Sequence, residues 1–149
     1  MEYRKAAAED IPELCRLRKQ QLIDEGAEPD INIDDELARY FSAKMGDDSL
    51  VEWLLTEDGS IIATAAIVFI EFPPSYTNRT GIMGYVANMY TSPDYRGRGI
   101  ATSLLEKLVW EAKARGVKKV CLIASKYGRP VYRRFGFSEK DEWMEMDLD

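Results

Sequence analysis

The feature that most constrains this chain is a change of period in its second half. Gly81–Thr91 reads as a long strand, stopped by Pro93, since proline cannot donate to a sheet ladder. From Gly97 to Arg115 the apolar spacing becomes helical. Ile100, Leu104, Leu108 and Ala112 fall on one face with Ala101 and Leu105 beside them, and Gly116 closes the segment. Only Ser92-Pro93-Asp94-Tyr95-Arg96-Gly97-Arg98-Gly99 separates the two. A strand that runs through a glycine and arginine turn straight into a helix belongs to an α/β architecture.

The remaining elements fit that frame. Glu2–Ala6 reads as a short strand, followed by a helix whose stripe is Ile11, Leu14, Cys15, Leu22 and Ile23. Glu9 and Asp10 occupy its first turn, where the helix dipole favours negative charge, and Gly26 is its stop. Ala7 is a poor N-cap. A second helix is expected from Ile33 to Lys44, with Asn32 as cap and Gly46 as stop. Val51–Thr56 and Ser60–Glu71 form a hairpin through Asp58-Gly59, and Phe72-Pro73-Pro74 ends it. Lys118–Ala124 is an apolar run typical of a strand covered on both faces. A short helix at Arg129–Arg134 and a last strand near Trp143–Leu148 complete the order β α α β β β α β α β. The expected fold class is α/β: a mixed, mostly antiparallel central sheet flanked by helices, with residues 1–149 as one domain.

Composition narrows the chemistry. The 149 residues contain no histidine, which excludes histidine triads, histidine metal sites and a histidine general base. No metal site is expected. The two cysteines, Cys15 and Cys121, cannot build a disulfide framework, so a reducing cytoplasm is the expected compartment. The longest uncharged apolar run, Ile61–Ile70, is too short to span a bilayer and no basic-then-apolar leader opens the sequence, so no membrane partner is expected. Twenty basic against 26 acidic residues give a net charge of −6, the opposite of a nucleic-acid binder's excess. An acidic surface suits a cationic partner such as an amine, or serves solubility alone.

The turn at residues 96–102 carries the chemistry. Backbone N–H groups left unpaired at a helix N-terminus converge on one point and are reinforced by the dipole. Gly97 and Gly99 keep side chains away from it, and Arg96 and Arg98 add positive charge. The ligand that fits is a phosphate or pyrophosphate. A P-loop needs Gly-Lys-Ser/Thr, whereas Gly99 is followed by Ile100-Ala101. A dinucleotide turn needs a third glycine early in the chain; here Thr102 stands in its place, and late.

Arg96-Gly97-Arg98-Gly99-Ile100-Ala101 resembles the Gln/Arg-x-x-Gly-x-Gly/Ala signature of the GNAT superfamily of acyl-CoA-dependent N-acetyltransferases. Asn88–Pro93 resembles the end of that family's central strand. Leu122–Ser125 with Gly128–Phe137 is similar to its second motif, and Tyr3–Ala6 with Asp10-Ile11 to its first strand and helix. The likeness covers essentially the whole chain.

The resemblance implies acetyl-CoA as co-substrate and direct transfer to an amine in a ternary complex. By that likeness, the main chain of Gly97, Arg98, Gly99, Ile100, Ala101 and Thr102 would hold the pyrophosphate, flanked by Arg96. Met89, Tyr90 and Thr91 would pair with the pantetheine arm as with an added strand. Ser125 would face the same cleft. Tyr132 would be the general acid toward the departing sulfur. Many relatives carry an acid where this chain has Asn88, so Glu71 at the end of the adjacent strand is the expected base, unless water or no base serves. The acceptor would be a primary amine on a small molecule or peptide. Tyr40, Phe41, Tyr76 and Trp143, among Asp34, Asp35 and Glu36, are candidates to line its cleft. Dimers are common among such relatives, so a homodimer is open. A non-catalytic acyl-CoA-binding or regulatory module with the same fold is the alternative function.

Overall fold

Asp58 and Gly59 both adopt positive φ, 51° and 81°, the geometry of a two-residue turn whose twist matches its flanking strands. In the computed structural model, which describes residues 1–148, this turn joins β2 (Leu50–Glu57) to β3 (Ser60–Glu71). With β1 (Glu2–Lys5), β4 (Ile82–Thr91) and β5 (Val120–Cys121) they form a sheet in the order β1-β2-β3-β4-β5. The first three pairings are antiparallel and β4–β5 is parallel. The mixed, mostly antiparallel α/β sheet is therefore as the patterning predicts.

Helices cover both faces. On one lie α1 (Ile11–Asp24) and α2 (Asp34–Gly46), enclosing Leu14, Cys15, Phe41, Leu50, Leu54 and Ala66. On the other lies α3 (Ile100–Ala114), whose Leu104, Leu105 and Leu108 pack with Leu55, Ile67 and Val86. The helix α4 (Arg129–Phe135) adds Tyr132 to this second core. At about 25 cal/mol per Å² of apolar surface, each of these fully buried leucines contributes roughly 1.5–3 kcal/mol.

Ala7 caps a single 3-10 turn, Ala8–Asp10, and α1 itself starts after Asp10. Asp10 accepts two hydrogen bonds from the Arg4 guanidinium, at 2.7 and 2.8 Å, and a third from the Ala7 amide at 2.8 Å. These bonds tie β1 to the helix entry and hold the Asp10 carboxyl below its ordinary pKa, the Arg4 hydrogen bond first among the causes. The α1 stripe turns onto Leu14, Cys15, Leu17 and Gln21, leaving Ile23 in the last turn 44% exposed. The cap of α2 differs from expectation: Ile33 occupies the N-cap position without a side-chain bond, and Asn32, one residue earlier, accepts the Asp34 amide at its Oδ1.

Two expectations are corrected. The run Lys118–Ala124 contributes only Val120–Cys121 to the sheet, half-buried, because β5 is an edge strand that separates from β4. The alternation at Trp143–Leu148 forms no ladder within the chain. A period of two makes a strand only where an edge is free to pair, and β5 offers a template two residues long. Trp143, Met144, Met146 and Leu148 accordingly stand exposed.

Candidate active site

The turn after β4 leaves its main chain open. Gly97 and Gly99 sit at φ 78° and 77°, which side-chain-bearing residues rarely adopt, and a Cβ at either would meet nothing within 4 Å. Glycine is therefore demanded by the conformation, and the space beside it is empty. Among the described residues, no protein acceptor takes the N–H groups of residues 97–102; the first amide to bond back is Ser103, to the Gly99 carbonyl at 3.1 Å. Converging free amides at the start of a four-turn helix make an anion cradle. Both arginines brace it. Arg96 Nε donates to the Thr91 carbonyl at 2.8 Å and its guanidinium lies over the Tyr90 ring, while Arg98 donates to the Asp94 carbonyl at 3.0 Å and lies over Tyr95.

The β4 edge leading into this turn is open as well. Only Gly84 and Tyr85 pair with β5, so Val86–Thr91 runs on past the parting of the two strands with its outer edge unpaired by any described strand. Met89, Tyr90 and Thr91 thus border a gap that ends at the 97–102 amides. The other edge of β4 carries a bulge, where β3 residues Thr64 and Ala66 pair with Tyr90 and Ala87, leaving Asn88 and Met89 opposite one residue. Asn88 takes φ 55°, which asparagine tolerates better than most residues. The extra residue reverses the alternation. Val86 packs toward α3, whereas Ala87 and Asn88 both turn toward α1 and α2.

Tyr132 approaches the gap from α4. Its ring is buried edge-on to Phe137, with centroids 5.9 Å apart. Burial, with Glu25 and Tyr85 adding negative potential, pushes its hydroxyl up to about 12, so it keeps its proton at neutral pH. Gly128 makes room for this ring; a Cβ there would lie 2.7 Å from Tyr132 Cε2. Ser125 lies in the same place, but its Oγ accepts the Gly128 amide at 3.1 Å and so helps to start α4.

Glu71 is not brought to the site. It pairs with Ile82 at the opposite end of β4, beyond the segment joined to β5 and roughly 20 Å along the strand from Thr64 at ~3.3 Å per residue. Solvent surrounds it, and the expectation that it serves as base is corrected on that geometry. A buried carboxylate, Glu52, which sequence reasoning missed, lies against Asn88 on the unpaired stretch of β4. It is 3% exposed, its Oε1 accepts the Thr64 hydroxyl at 2.6 Å, and its Oε2 lies 3.5 Å from the Asn88 side-chain nitrogen. Burial raises its pKa to about 7, against the lowering effect of both hydrogen bonds. A signal was present: in Leu50-Val51-Glu52-Trp53-Leu54 a period of two puts Glu52 on the apolar face of Leu50 and Leu54.

Comparison with known proteins agrees with this arrangement. The chain is 58% identical to a predicted acetyltransferase from Clostridium acetobutylicum solved with acetyl-CoA, at TM-score 0.97 over 99% of this chain and 96% of that one. A GCN5-related N-acetyltransferase from Ralstonia eutropha JMP134 is 27% identical, at TM-score 0.90 over 98% and 97% of the two chains. Glucosamine 6-phosphate N-acetyltransferase 1 of Oryza sativa subsp. japonica is 32% identical over 68% of this chain, and the Trypanosoma brucei brucei enzyme of that activity 28% over 60%. These matches span only 61% and 59% of the two enzymes' lengths. The family profile for Acetyltransferase (GNAT) matches residues 12–137. With this profile laid over the open turn, the parted strands and the buried tyrosine, the chain belongs to the acetyltransferase (GNAT) family.

Proposed function

We propose that the protein is an N-acetyltransferase that uses acetyl-CoA to acetylate a primary amine on a small molecule or peptide. The observation that carries this reading is the run of unbonded amides at residues 97–102, continuous with the open edge of β4. The amides of Arg98, Gly99, Ala101 and Thr102 fit a pyrophosphate, and the main chain of Met89–Thr91 fits an amide-bearing arm that pairs as an added strand. Acetyl-CoA supplies a thioester already activated toward amine attack.

The chain then has two tasks, positioning and the handling of charge. Tyr132 keeps its proton at working pH and serves as the donor toward the leaving sulfur. The acceptor amine enters from the α1/α2 face, bordered by Tyr40, Tyr85 and Glu25. The amino-sugar phosphate named for the rice and trypanosome relatives is one member of this acceptor class. Among the described residues no helix is long and apolar enough to cross a membrane, and no cluster suited to a metal ion occurs. The cysteines are free, as a reducing cytoplasm would keep them.

The test is thermal denaturation with and without acetyl-CoA, followed by thiol release against a panel of primary amines. Acetyl-CoA at about a hundred times its dissociation constant should stabilise the fold by ~2.7 kcal/mol. Stabilisation with thiol release is the expected result. Stabilisation without release would favour a non-catalytic acyl-CoA-binding module, and no stabilisation contradicts both.

A further inference from the structure

The buried Glu52 has no part in the reading above, yet its surroundings are specific. It sits at the centre of β2 beneath α1 and α2, touching Thr64 from β3 and Asn88 from β4. Both contacts are donors turned toward a carboxylate, and no cation lies within ion-pair distance of it among the described residues. Asn88 reaches it only because the bulge re-aims a side chain that simple alternation would send toward α3. A bulge, a left-handed asparagine and a buried carboxylate therefore meet at one point, beside the parting of β4 from β5.

That meeting settles which end of the Asn88 amide faces outward. A carboxylate draws the NH2 group, so the carbonyl oxygen Oδ1 is turned the other way. Among the described residues nothing donates to Oδ1, and no fully buried side-chain oxygen or nitrogen is left without a partner. Oδ1 therefore keeps a small accessible surface, although Asn88 as a whole is 6% exposed, on the α1/α2 side through which the proposed acceptor would enter.

We propose that Glu52 is a positioning residue: by holding the Asn88 NH2 group, it presents Asn88 Oδ1 as a fixed hydrogen-bond acceptor for the incoming amine. This rests on the N-acetyltransferase reading and deepens it. An amine that donates to Oδ1 has its lone pair directed away from that bond, toward the gap beside β4. Reversing the amide would put two N–H donors in its path.

The raised pKa of Glu52 makes the arrangement responsive to pH. Cys15 and Arg18 from α1, Tyr40 from α2, Thr64 from β3 and Asn88 from β4 are the polar and titratable groups around it. Above about 7 the ionised carboxylate holds the NH2 group; below it, the protonated acid can donate to the amide oxygen instead and the preference is lost.

The test compares Glu52→Gln with the wild type in steady-state kinetics from pH 6 to 9, using the best amine of the panel. In the variant the introduced side-chain NH2 group faces Asn88 and favours the reversed amide. The expected result is at least a tenfold rise in amine KM with acetyl-CoA KM within twofold. A pH limb near 7 should also disappear, while any limb from the amine itself stays. The double variant combining Glu52→Gln with Asn88→Asp should recover most of the amine KM, because the new carboxylate on β4 accepts from the new amide on β2 and still shows an oxygen outward. An unchanged amine KM in Glu52→Gln, or equal losses for both substrates, overturns the proposal while leaving the enzyme reading intact. Absence of thiol release by the wild type overturns both. Independently of turnover, the Asn88 side-chain NH2 resonances, identified by their loss in Asn88→Asp, should shift with a midpoint near pH 7 and stop shifting in Glu52→Gln; pH-invariant resonances in the wild type overturn the link.

Discussion

On the proposed reading the turn after β4 and the α1/α2 face of the sheet each take a ligand, and they are built in opposite ways. The turn is local: consecutive residues, two left-handed glycines and a helix start leave a row of amides free. The face is assembled from five elements and depends on a bulge that turns one asparagine around. A phosphate is the same charge in every acyl-CoA, so main-chain donors suffice for it. An acceptor amine must be oriented, and that takes side chains fixed by a buried neighbour.

The comparison breaks most readily at the turn. Gly99→Val forces a β-branched residue to φ 77°, so acetyl-CoA affinity should fall by about a hundredfold, ~2.7 kcal/mol, with the fold retained. Calorimetric titration checks this, and unchanged affinity would move the anion site elsewhere. Next in size is Tyr132→Phe, expected to lower kcat by about ten- to a hundredfold with acetyl-CoA affinity within twofold. Full turnover in that variant removes Tyr132 as the donor.

Glu52→Gln sharpens the contrast through stability. A carboxyl whose folded pKa lies near 7, above its ordinary value, binds its proton more tightly folded than unfolded. Wild-type stability from this group therefore rises as pH falls from about 8 to about 4. The variant should lack that dependence, with an advantage over the wild type at pH 8 that shrinks on acidification by roughly 3 kcal/mol. Urea titrations at the two pH values decide it. Smaller, and opposite in sign, is Asp10→Asn. Its carboxyl is lowered by Arg4, so its contribution is full above the ordinary carboxyl range and fades as pH drops below it. With Arg4 partly exposed, the loss at pH 7 should be roughly 1–2 kcal/mol, leaving acetyl-CoA affinity unchanged. Glu71→Gln should alter neither kcat nor KM, which kinetics at saturating acetyl-CoA would show.

What was legible in the sequence follows the same division. The Asp58-Gly59 hairpin, the β4 stop at Pro93 and the α3 stripe are written in neighbouring residues, and each formed where its pattern placed it. Glu71 misled because adjacency to a strand end says nothing about which end of the sheet holds the ligand. The burial of Glu52 was legible in the period of β2, but its partners were not, because they depend on cross-strand register and the bulge that brings Asn88 to it leaves no local mark. The Trp143–Leu148 alternation misled for a related reason, since a pattern suited to pairing formed no ladder in this chain.

On the proposed reading the amides of residues 97–102 are held open for the two phosphates of an acyl-CoA. Backbone ¹⁵N–¹H correlation spectra recorded as acetyl-CoA is added would test it residue by residue. The largest displacements are expected at Arg98, Gly99, Ala101 and Thr102, followed by Met89–Thr91. Saturable binding that leaves those amides unmoved would contradict it.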